Sequence, residues 1–544
     1  MLDHLAFRLV LEVDVLLFIS SSQSMIRFYT GNKRTKMQDR EVFEIWDYLV
    51  VGAMLLLSGA IGVYFRFSGG KQRTTNEYLM AGRNMGMLPV ILSLMATIQT
   101  AVGTLGFPGE VYLYGAQLYL YPLGFTVALI ICTFVHTPVY FGIQVTSAYE
   151  YLEKRFGKLT RTIISGLFVI QMILFMSVGL YSPSIALSAV SGLSHIVSIL
   201  AVGIVCAFYC TLGGMKAVLW TDVLQSILMF LALLSVIIKG SIDMGGFQEV
   251  LNIAEKGGRL NFFNTTFDPT LRFTVWSALI GGFMYGMTTC GANQTQVQRL
   301  LTVSTLRRSQ LALCIAMTYI VGNIKAIIPA AFVVFTAIGG PTLSIITLGM
   351  LTTTSNQKGI IVGLLSGIAL NAWIGTGAII SDFPQIKLPQ STEFCPANSS
   401  ESLFFPTMSY LNSTNVTLTT IVTEATIEPT DGISILKEEI FPLFKLSFLL
   451  HPVPGTILTF LLGYIVSFIT GGDTNVDENL ICPFMRKCLS ANTLKTEDKV
   501  QIAVAALPDG AHYMDNHNGF VNTLENGHFK NGKLKEHILE ESKL

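Results

Sequence analysis

The stretch from Val90 to Ala116 reads VILSLMATIQTAVGTLGFPGEVYLYGA and is long and apolar enough to cross a bilayer as a helix. Within it, Gly103, Gly106 and Pro108 predict an interruption near the middle of the span. Backbone groups that leave a helix at membrane depth are tolerated only where they face a cavity or bind something. A broken span therefore indicates a mid-membrane site for an ion and a substrate, as in secondary transporters. The alternative is an ordinary packed span whose small residues lie at a helix–helix contact.

The composition predicts an all-α polytopic membrane protein. Hydrophobic residues make up 51% and charged residues 13% of the 544-residue chain, and the mean hydropathy is +0.56, whereas about 25% of the residues in soluble domains are charged. The formal net charge is zero, so no basic surface indicates a nucleic acid, and the expected partner is the lipid bilayer. The eight cysteines form no CxxC pair and no metal-ligand spacing, so neither a bound metal nor a cofactor is predicted.

The apolar runs divide the chain into a membrane domain with two flanking segments. Residues 1–36 form an N-terminal extension whose apolar run is interrupted by charges, and residues 37–472 form the transmembrane domain. Its long loops are 241–271 and 381–445, and the polar tail 473–544 is expected to be disordered. About eleven spans are predicted, near 46–65, 86–106, 116–138, 162–184, 192–212, 218–240, 272–292, 309–338, 341–355, 359–380 and 446–470.

The loops predict the orientation of the chain in the plasma membrane. Lys and Arg follow the odd-numbered early spans, as in the loop 154–161. The positive-inside rule places these loops in the cytoplasm, the N-terminus outside and the C-terminal tail inside. Sequons after the sixth and tenth spans then lie outside the cell, as glycan acceptors must. The predicted acceptors are Asn264, Asn398, Asn412 and Asn415.

Two motifs are more specific than the hydropathy pattern. Residues 206–225 read CAFYCTLGGMKAVLWTDVLQ, in which Gly213–Gly214 predicts a tight turn and Asp222 opens the next span. Residues 293–299 read NQTQVQR and close the seventh span. Their main residues are Gly213, Gly214, Lys216, Trp220, Asp222, Asn293, Gln294, Gln298 and Arg299.

Together with TSAYEYLEKRF at 146–156 and GGRLNFFN at 257–264, these motifs resemble the sodium:solute symporter family, most closely its monocarboxylate and multivitamin branch. The resemblance implies a leucine-transporter-type bundle, a five-plus-five inverted repeat with flanking helices. It also implies symport of a small organic anion, such as a monocarboxylate, biotin or pantothenate, with sodium as the coupling ion and no other cofactor. The oligomeric state is left open.

The resemblance also implies where the ion and the substrate bind. The backbone carbonyls of Ala96 and Gln99 match positions that ligate sodium in the family. The glycine-interrupted seventh span is the inverted counterpart of the first core span. The substrate cavity is then expected to be lined by Gln99, Thr100, Gly103, Thr104, Thr288, Thr289 and Cys290.

The chain departs from the family pattern after Asn323. Relatives continue through two more spans, one of them a serine-rich helix whose hydroxyls ligate the same sodium. Here Asn323 is followed almost directly by IIPAAFVVFTAIGGPTLSIITLGML at 327–351. The second repeat is therefore expected to be incomplete, and coupled transport by this chain weak or absent.

Two other functions stay open from the sequence. A regulatory isoform that does not transport would reach the membrane without giving a substrate-dependent current. A sodium-independent facilitator or channel would support uptake in sodium-free medium. An enzyme is not predicted, because the chain has no GxSxG or HExxH motif and neither His136 nor His195 has a partner at ligand spacing.

Overall fold

A computed structural model of the chain describes residues 45–68, 73–98, 101–191, 194–323, 329–381, 383–390, 440–473 and 476–487, with 512–514, 521–525 and 528–529 in the tail. The first nine α-helices are α1 (Ile45–Phe67), α2 (Thr75–Met80), α3 (Met87–Ile98), α4 (Ala101–Tyr114), α5 (Tyr121–Ile131), α6 (Thr137–Gly142), α7 (Ala148–Phe156), α8 (Lys158–Ser191) and α9 (His195–Asp243). The others are α10 (Phe247–Lys256), α11 (Val275–Met287), α12 (Gln294–Leu300), α13 (Leu306–Asn323), α14 (Pro329–Leu351), α15 (Gln357–Ser381) and α16 (Pro452–Ile469).

Short turns and strands complete the described part of the chain. Single π-helical turns follow α5 at Cys132–His136 and α11 at Thr288–Ala292. The 3-10 turns are Ala81–Arg83, Ala116–Leu120, Pro442–Lys445, Phe448–Leu450 and Glu478–Leu480. In the tail, β1 (His512–Met514), β2 (Val521–Glu525) and β3 (His528–Phe529) pair antiparallel in the order β1-β2-β3.

The described helices supply six apolar stretches long enough to cross a membrane: Tyr48–Phe67, Ala116–Gly142, Lys158–Ser177, Ile196–Asp243, Gln357–Ser381 and Phe448–Ile469. A bent pair, Thr75–Arg83 with Met87–Thr97, raises the number to seven if it crosses as one span. The sequence predicts about eleven spans. The two counts differ because the stretch Ile196–Asp243 contains two predicted spans, and because other predicted spans, such as 86–106 and 272–292, correspond to more than one shorter element.

The turn predicted at Gly213–Gly214 divides α9. Gly214 has φ 56° and ψ −156°, outside the helical region. A straight helix of 49 residues would be about 74 Å long, more than twice the hydrocarbon thickness of about 30 Å. The break at Gly214 thus separates the two spans predicted at 192–212 and 218–240. A Cβ on Gly213 would lie 3.0 Å from the carbonyl oxygen of Gly62, so this position packs closely on α1.

Two of the predicted breaks between or within spans are misplaced. Gly103, Gly106 and Pro108 do not interrupt the first core span, since all three lie within α4. Residues 99 and 100, between α3 and α4, lie outside the described residues.

The spans predicted at 309–338 and 341–355 are instead α13 and α14, and α14 runs through Pro341. Proline lacks the N–H that would bond the carbonyl of residue 337. Asn371 Nδ2 lies 3.4 Å from the Ala337 oxygen and supplies a donor from α15. The helix therefore continues through the proline.

Small residues set the closest helix contacts. A Cβ on Gly124 of α5 would lie 1.9 Å from the Leu279 carbonyl oxygen, and one on Gly282 of α11 would lie 2.0 Å from that of Tyr121. On α15, a Cβ on Gly363 would lie 2.6 Å from the Thr459 carbonyl oxygen of α16. Small residues allow backbones to approach closely in membranes. The α5–α11 contact brings the two π-helical turns together.

The packed part of the chain extends beyond residue 472, where the sequence places the start of a disordered tail. Leu480, Ile481 and Cys482 are buried, and the Cys482 N–H donates to the Met350 oxygen at 2.9 Å. The physical reason is that these apolar side chains cover the end of α14. The tail prediction also lacked the strands β1–β3.

Candidate substrate and ion site

The first half of the candidate site is the end of α3. Ala96 is 2% exposed and lies in the last turn of this helix. In a continuing helix the Ala96 carbonyl would bond the N–H of residue 100, which lies outside the described residues. Gln99 and Thr100 lie outside the described residues. Gly103 and Thr104 lie in the first turn of α4.

The second half is the π-helical turn Thr288–Ala292, which packs against the π-helical turn Cys132–His136. The first turn contains the predicted cavity residues Thr288, Thr289 and Cys290, all buried. Tyr140 donates a hydrogen bond from its hydroxyl to the Gly291 oxygen at 2.7 Å. π-helical turns occur often at functional sites because they displace backbone groups from the regular helix. The turn Thr288–Ala292 is buried throughout, whereas in the other turn Cys132, Thr133 and His136 are buried and Phe134 is exposed.

Thr288 is the predicted residue whose surroundings best fit ligand binding. Its side chain is 2% exposed, and its hydroxyl has no hydrogen-bond partner among the described residues. A buried polar group without a partner costs about 1–3 kcal/mol. Helix α14 approaches closely at this point, since a Cβ on Gly339 would lie 2.4 Å from Thr288 Cγ2.

His136 is a polar residue of this region that the sequence does not predict. It is fully buried, and its Nε2 lies 3.1 Å from Thr347 Oγ1 on α14. Its Nδ1 has no partner among the described residues. An ionisable residue inside a membrane domain is a functional candidate by default. Thr347 lies 211 residues further along the chain, so spacing in the sequence gives no signal for this pair.

Residues of the two sequence motifs meet in a buried ion pair. Arg299 Nη2 lies 3.6 Å from Asp222 Oδ2, and the two side chains are 1% and 2% exposed. Ser93 of α3 bridges them, because its hydroxyl donates to Asp222 Oδ2 and accepts from Arg299 Nε at 2.8 Å. Asp222 lies eight residues after the break at Gly214, near the start of the second span of α9, and it joins this span to α3 and α12.

The other residues of NQTQVQR fix the position of α12. Asn293 caps this helix, accepting from the Thr295 N–H at 2.8 Å. Gln294 Oε1 accepts from the Ala148 N–H at 2.7 Å, and Gln298 Nε2 donates to the Leu79 oxygen at 2.6 Å. The motif thus ties α12 to α7 and α2.

The remaining motif and sequon residues lie apart from this cluster. Lys216 is half-buried and Trp220 is exposed, as suits a side chain at the membrane interface. Asn264 lies in the loop before α11, where its Oδ1 accepts from the Thr266 N–H at 3.2 Å. Asn398, Asn412 and Asn415 lie outside the described residues.

Comparison with known proteins identifies similar chains. The family model described as the sodium:solute symporter family matches residues 78–372. The sodium-coupled monocarboxylate transporter 1 of Homo sapiens is 31% identical over 560 aligned positions, covering 81% of this chain and 90% of that protein. The sodium-dependent multivitamin transporter of Oryctolagus cuniculus is 30% identical over 575 positions, covering 84% and 88%.

A solved structure shares the fold. It is the substrate-bound outward-open state of a Na+-coupled sialic acid symporter, and it matches with a TM-score of 0.56. The match covers 78% of this chain and 98% of that one at 15% identity. The predicted all-α, leucine-transporter-type fold class is therefore confirmed.

The alignments are longer than the part of this chain that they cover. For the human relative, 81% of 544 residues is about 441 residues, set against 560 aligned positions. About 119 positions of that relative thus have no counterpart in this chain.

Proposed function

Because the chain belongs to the sodium:solute symporter family, we propose that it moves a small organic anion with sodium across the plasma membrane. A monocarboxylate, or a vitamin with a carboxylate such as biotin or pantothenate, is the proposed substrate. Relatives named for monocarboxylate and multivitamin transport support this class. The family is one of transporters and not of enzymes.

The proposed sodium ligands are the backbone carbonyls of Ala96 and Gln99. Sodium is a hard cation that takes oxygen ligands, and helix ends at membrane depth expose such oxygens. The proposed substrate site lies beside them, between the start of α4 and Thr288–Cys290. N–H groups in the first turn of a helix suit a carboxylate, and the proposed lining includes Gly103 of α4. Gln99, Thr100 and Thr104 complete the proposed lining.

The observation that carries this proposal is the buried Thr288 hydroxyl, which has no partner among the described residues. It lies on a π-helical turn of the span that is proposed as the inverted counterpart of the first core span. A bound carboxylate would accept its hydrogen bond.

The proposed orientation has the N-terminus outside and the C-terminal tail in the cytoplasm. The basic segment 154–161, where α7 ends and α8 begins, then lies inside. Loop 257–274, with Asn264, lies outside the cell, as do the acceptors Asn398, Asn412 and Asn415.

A second candidate is a carrier without sodium coupling, or a regulatory isoform without transport. The observation that favours this candidate is that about 119 positions of the human relative have no counterpart in this chain. We propose that this missing segment follows Asn323, where only residues 324–328 separate α13 from α14. Loss of the serine-rich helix would remove hydroxyl ligands and leave sodium bound weakly.

Uptake into liposomes tests the two candidates. The full chain is reconstituted, and uptake of labelled butyrate and biotin is measured with a sodium gradient and again with choline replacing sodium. Sodium-dependent uptake supports symport, and equal uptake in both media supports a facilitator. A folded, reconstituted chain that takes up and binds neither compound would contradict both and favour the regulatory isoform.

A valine substitution tests the site itself. Thr288→Val removes the hydroxyl and keeps the shape, so we expect carboxylate binding to fall about tenfold, as for loss of a hydrogen bond to a charged group. Thr126→Val is the matched control, because the Thr126 hydroxyl already donates to the Pro122 oxygen at 2.9 Å. Equal binding by both variants would place the substrate elsewhere.

A further inference from the structure

The end of α14 has an unusual set of hydrogen-bond donors. The last carbonyls of a helix need partners from outside it. Here those partners come from Arg155 of α7 and from the segment after α16. Arg155 donates to the oxygens of Gly349, Thr352 and Thr353 at 3.4, 3.1 and 3.2 Å.

The segment after α16 supplies the remaining bonds. We call Asp473 and residues 476–486 the strap. The Asp473 N–H donates to the Thr354 oxygen at 3.1 Å, and the Cys482 N–H donates to the Met350 oxygen at 2.9 Å. The end of α14 is thus held from two sides, by α7 and by the strap.

The strap is also bonded directly to α7. Arg155 Nη1 donates to Asp473 Oδ2 at 3.2 Å, and the hydroxyl of Tyr151 donates to the Leu480 oxygen at 3.2 Å. Burial raises the pKa of Tyr151, so its phenol stays protonated and remains a donor. Cys482 is 1% exposed beneath these contacts. The strap therefore joins an element of the first half of the chain to one of the second half.

The same helix reaches the two π-helical turns. Thr347, two residues before Gly349, contacts His136. A Cβ on Gly291 would lie 3.1 Å from Leu343 Cδ1. Any movement of the strap end of α14 away from α7 would therefore also separate α14 from the turns that hold Cys132 and Cys290.

We propose that the strap is a conformational lock, which holds α14 against the two π-helical turns and must release Met350 and Thr354 before this end of the bundle opens. The lock goes beyond the proposed function and does not depend on the substrate or on sodium. Under the proposed orientation the end that it closes is cytoplasmic.

Native cysteines report whether the strap is released and whether α14 then separates from the π-helical turns. The purified full chain in detergent is treated with N-ethylmaleimide, and the alkylation rate of each cysteine is read by peptide mass spectrometry. Tyr151→Phe with Asp473→Asn weakens the strap, and we expect Cys482 to react about tenfold faster, as for a local opening. Glu478→Gln is the matched control, since Glu478 is an exposed carboxylate of the same strap.

The alkylation rates of Cys132 and Cys290 distinguish a strap that locks α14 in place from one that only covers Cys482. If the strap is a lock, both buried thiols also react faster in the double variant. Faster reaction at Cys482 alone would overturn the proposal, and so would unchanged rates at all three cysteines. Size-exclusion chromatography shows whether each variant is folded. If the double variant is not, Tyr151→Phe alone, which loses one hydrogen bond, gives the same comparison. Since no transport is measured, failure here leaves the proposed function untouched.

Discussion

Arginines close both ends of the helix bundle, but they bind different partners at the two ends. At the end where α4 stops and α11 begins, Arg272 donates to both carboxylate oxygens of Glu110, at 2.9 and 2.7 Å. Its guanidinium also lies over the ring of Tyr114 at 4.2 Å. The two charged side chains remain 18% and 11% exposed, so water reaches this pair.

At the opposite end Arg155 and Arg299 are almost completely enclosed, each with a side chain that is 1% exposed. Arg155 binds backbone carbonyls, and Arg299 binds Asp222 through Ser93. A charge that is removed from water depends on its partners, because no solvent replaces them. We therefore expect the arginines at the two ends to stabilise the structure by different amounts. The loss on substitution should depend on how exposed the arginine and its partner are, and not on how many ion pairs they make.

The largest effect is expected from Arg299→Met. This change leaves the Asp222 carboxylate buried without its guanidinium and should cost about 3–5 kcal/mol of unfolding free energy. Thermal unfolding of the purified chain measures it. Arg308→Met is the matched control, since Arg308 is exposed. Adding Asp222→Leu to Arg299→Met should recover most of the loss, and a double variant as unstable as the single one would contradict this account.

Arg155→Lys should have the next largest effect. An ammonium group cannot reach the oxygens of Thr352 and Thr353 and the Asp473 carboxylate together, and each lost charged hydrogen bond contributes about 1.5–3 kcal/mol. Hydrogen exchange at the Cys482 amide should become faster. Lys154→Arg, a change at an exposed neighbour, is the control. Unchanged protection at Cys482 would mean that Arg155 does not hold the strap.

Glu110→Gln should cost about 1 kcal/mol, because the pair with Arg272 is partly solvated. Raising the salt concentration from about 0.1 to 1 M should reduce the stability of the wild type more than that of the variant, since salt screens an accessible pair. Unfolding curves at both concentrations measure the difference. A loss equal to that of Arg299→Met would show that exposure does not decide the ranking.

Glu153→Gln should have the smallest effect, below about 0.5 kcal/mol. Its partner Arg161 is 43% exposed and Glu153 is 27% exposed. The same unfolding assay measures this loss, which should be the smallest of the four substitutions. A larger effect than that of Glu110→Gln would reverse the expected order.

The sequence predicts contacts within a segment better than contacts between segments. Apolar runs and the Gly213–Gly214 turn identify the two spans of α9 because hydropathy and glycine act locally. The pair Asp222–Arg299 and the pair His136–Thr347 join distant parts of the chain. Their geometry depends on helix packing, which no local pattern encodes.

Proline shows the limit of local rules most clearly. The sequence predicts breaks near Pro108 and Pro341, yet both lie inside helices. At Pro341, Asn371 of another helix bonds the carbonyl that proline leaves free. A residue that interrupts an isolated helix is thus accommodated when a neighbouring span supplies the missing donor.

The close contact between α15 and α16 also bears on inherited variation. A Cβ at Gly359 would lie 2.1 Å from Ser467 Oγ, and one at Gly367 would lie 1.8 Å from Thr459 Oγ1. Every single-base missense change of a glycine codon gives a residue that carries a Cβ. No missense allele one base away from these codons therefore preserves the spacing of the two helices. Alleles at these codons should reduce the amount of folded protein in the membrane, even though neither glycine lies in the proposed binding site.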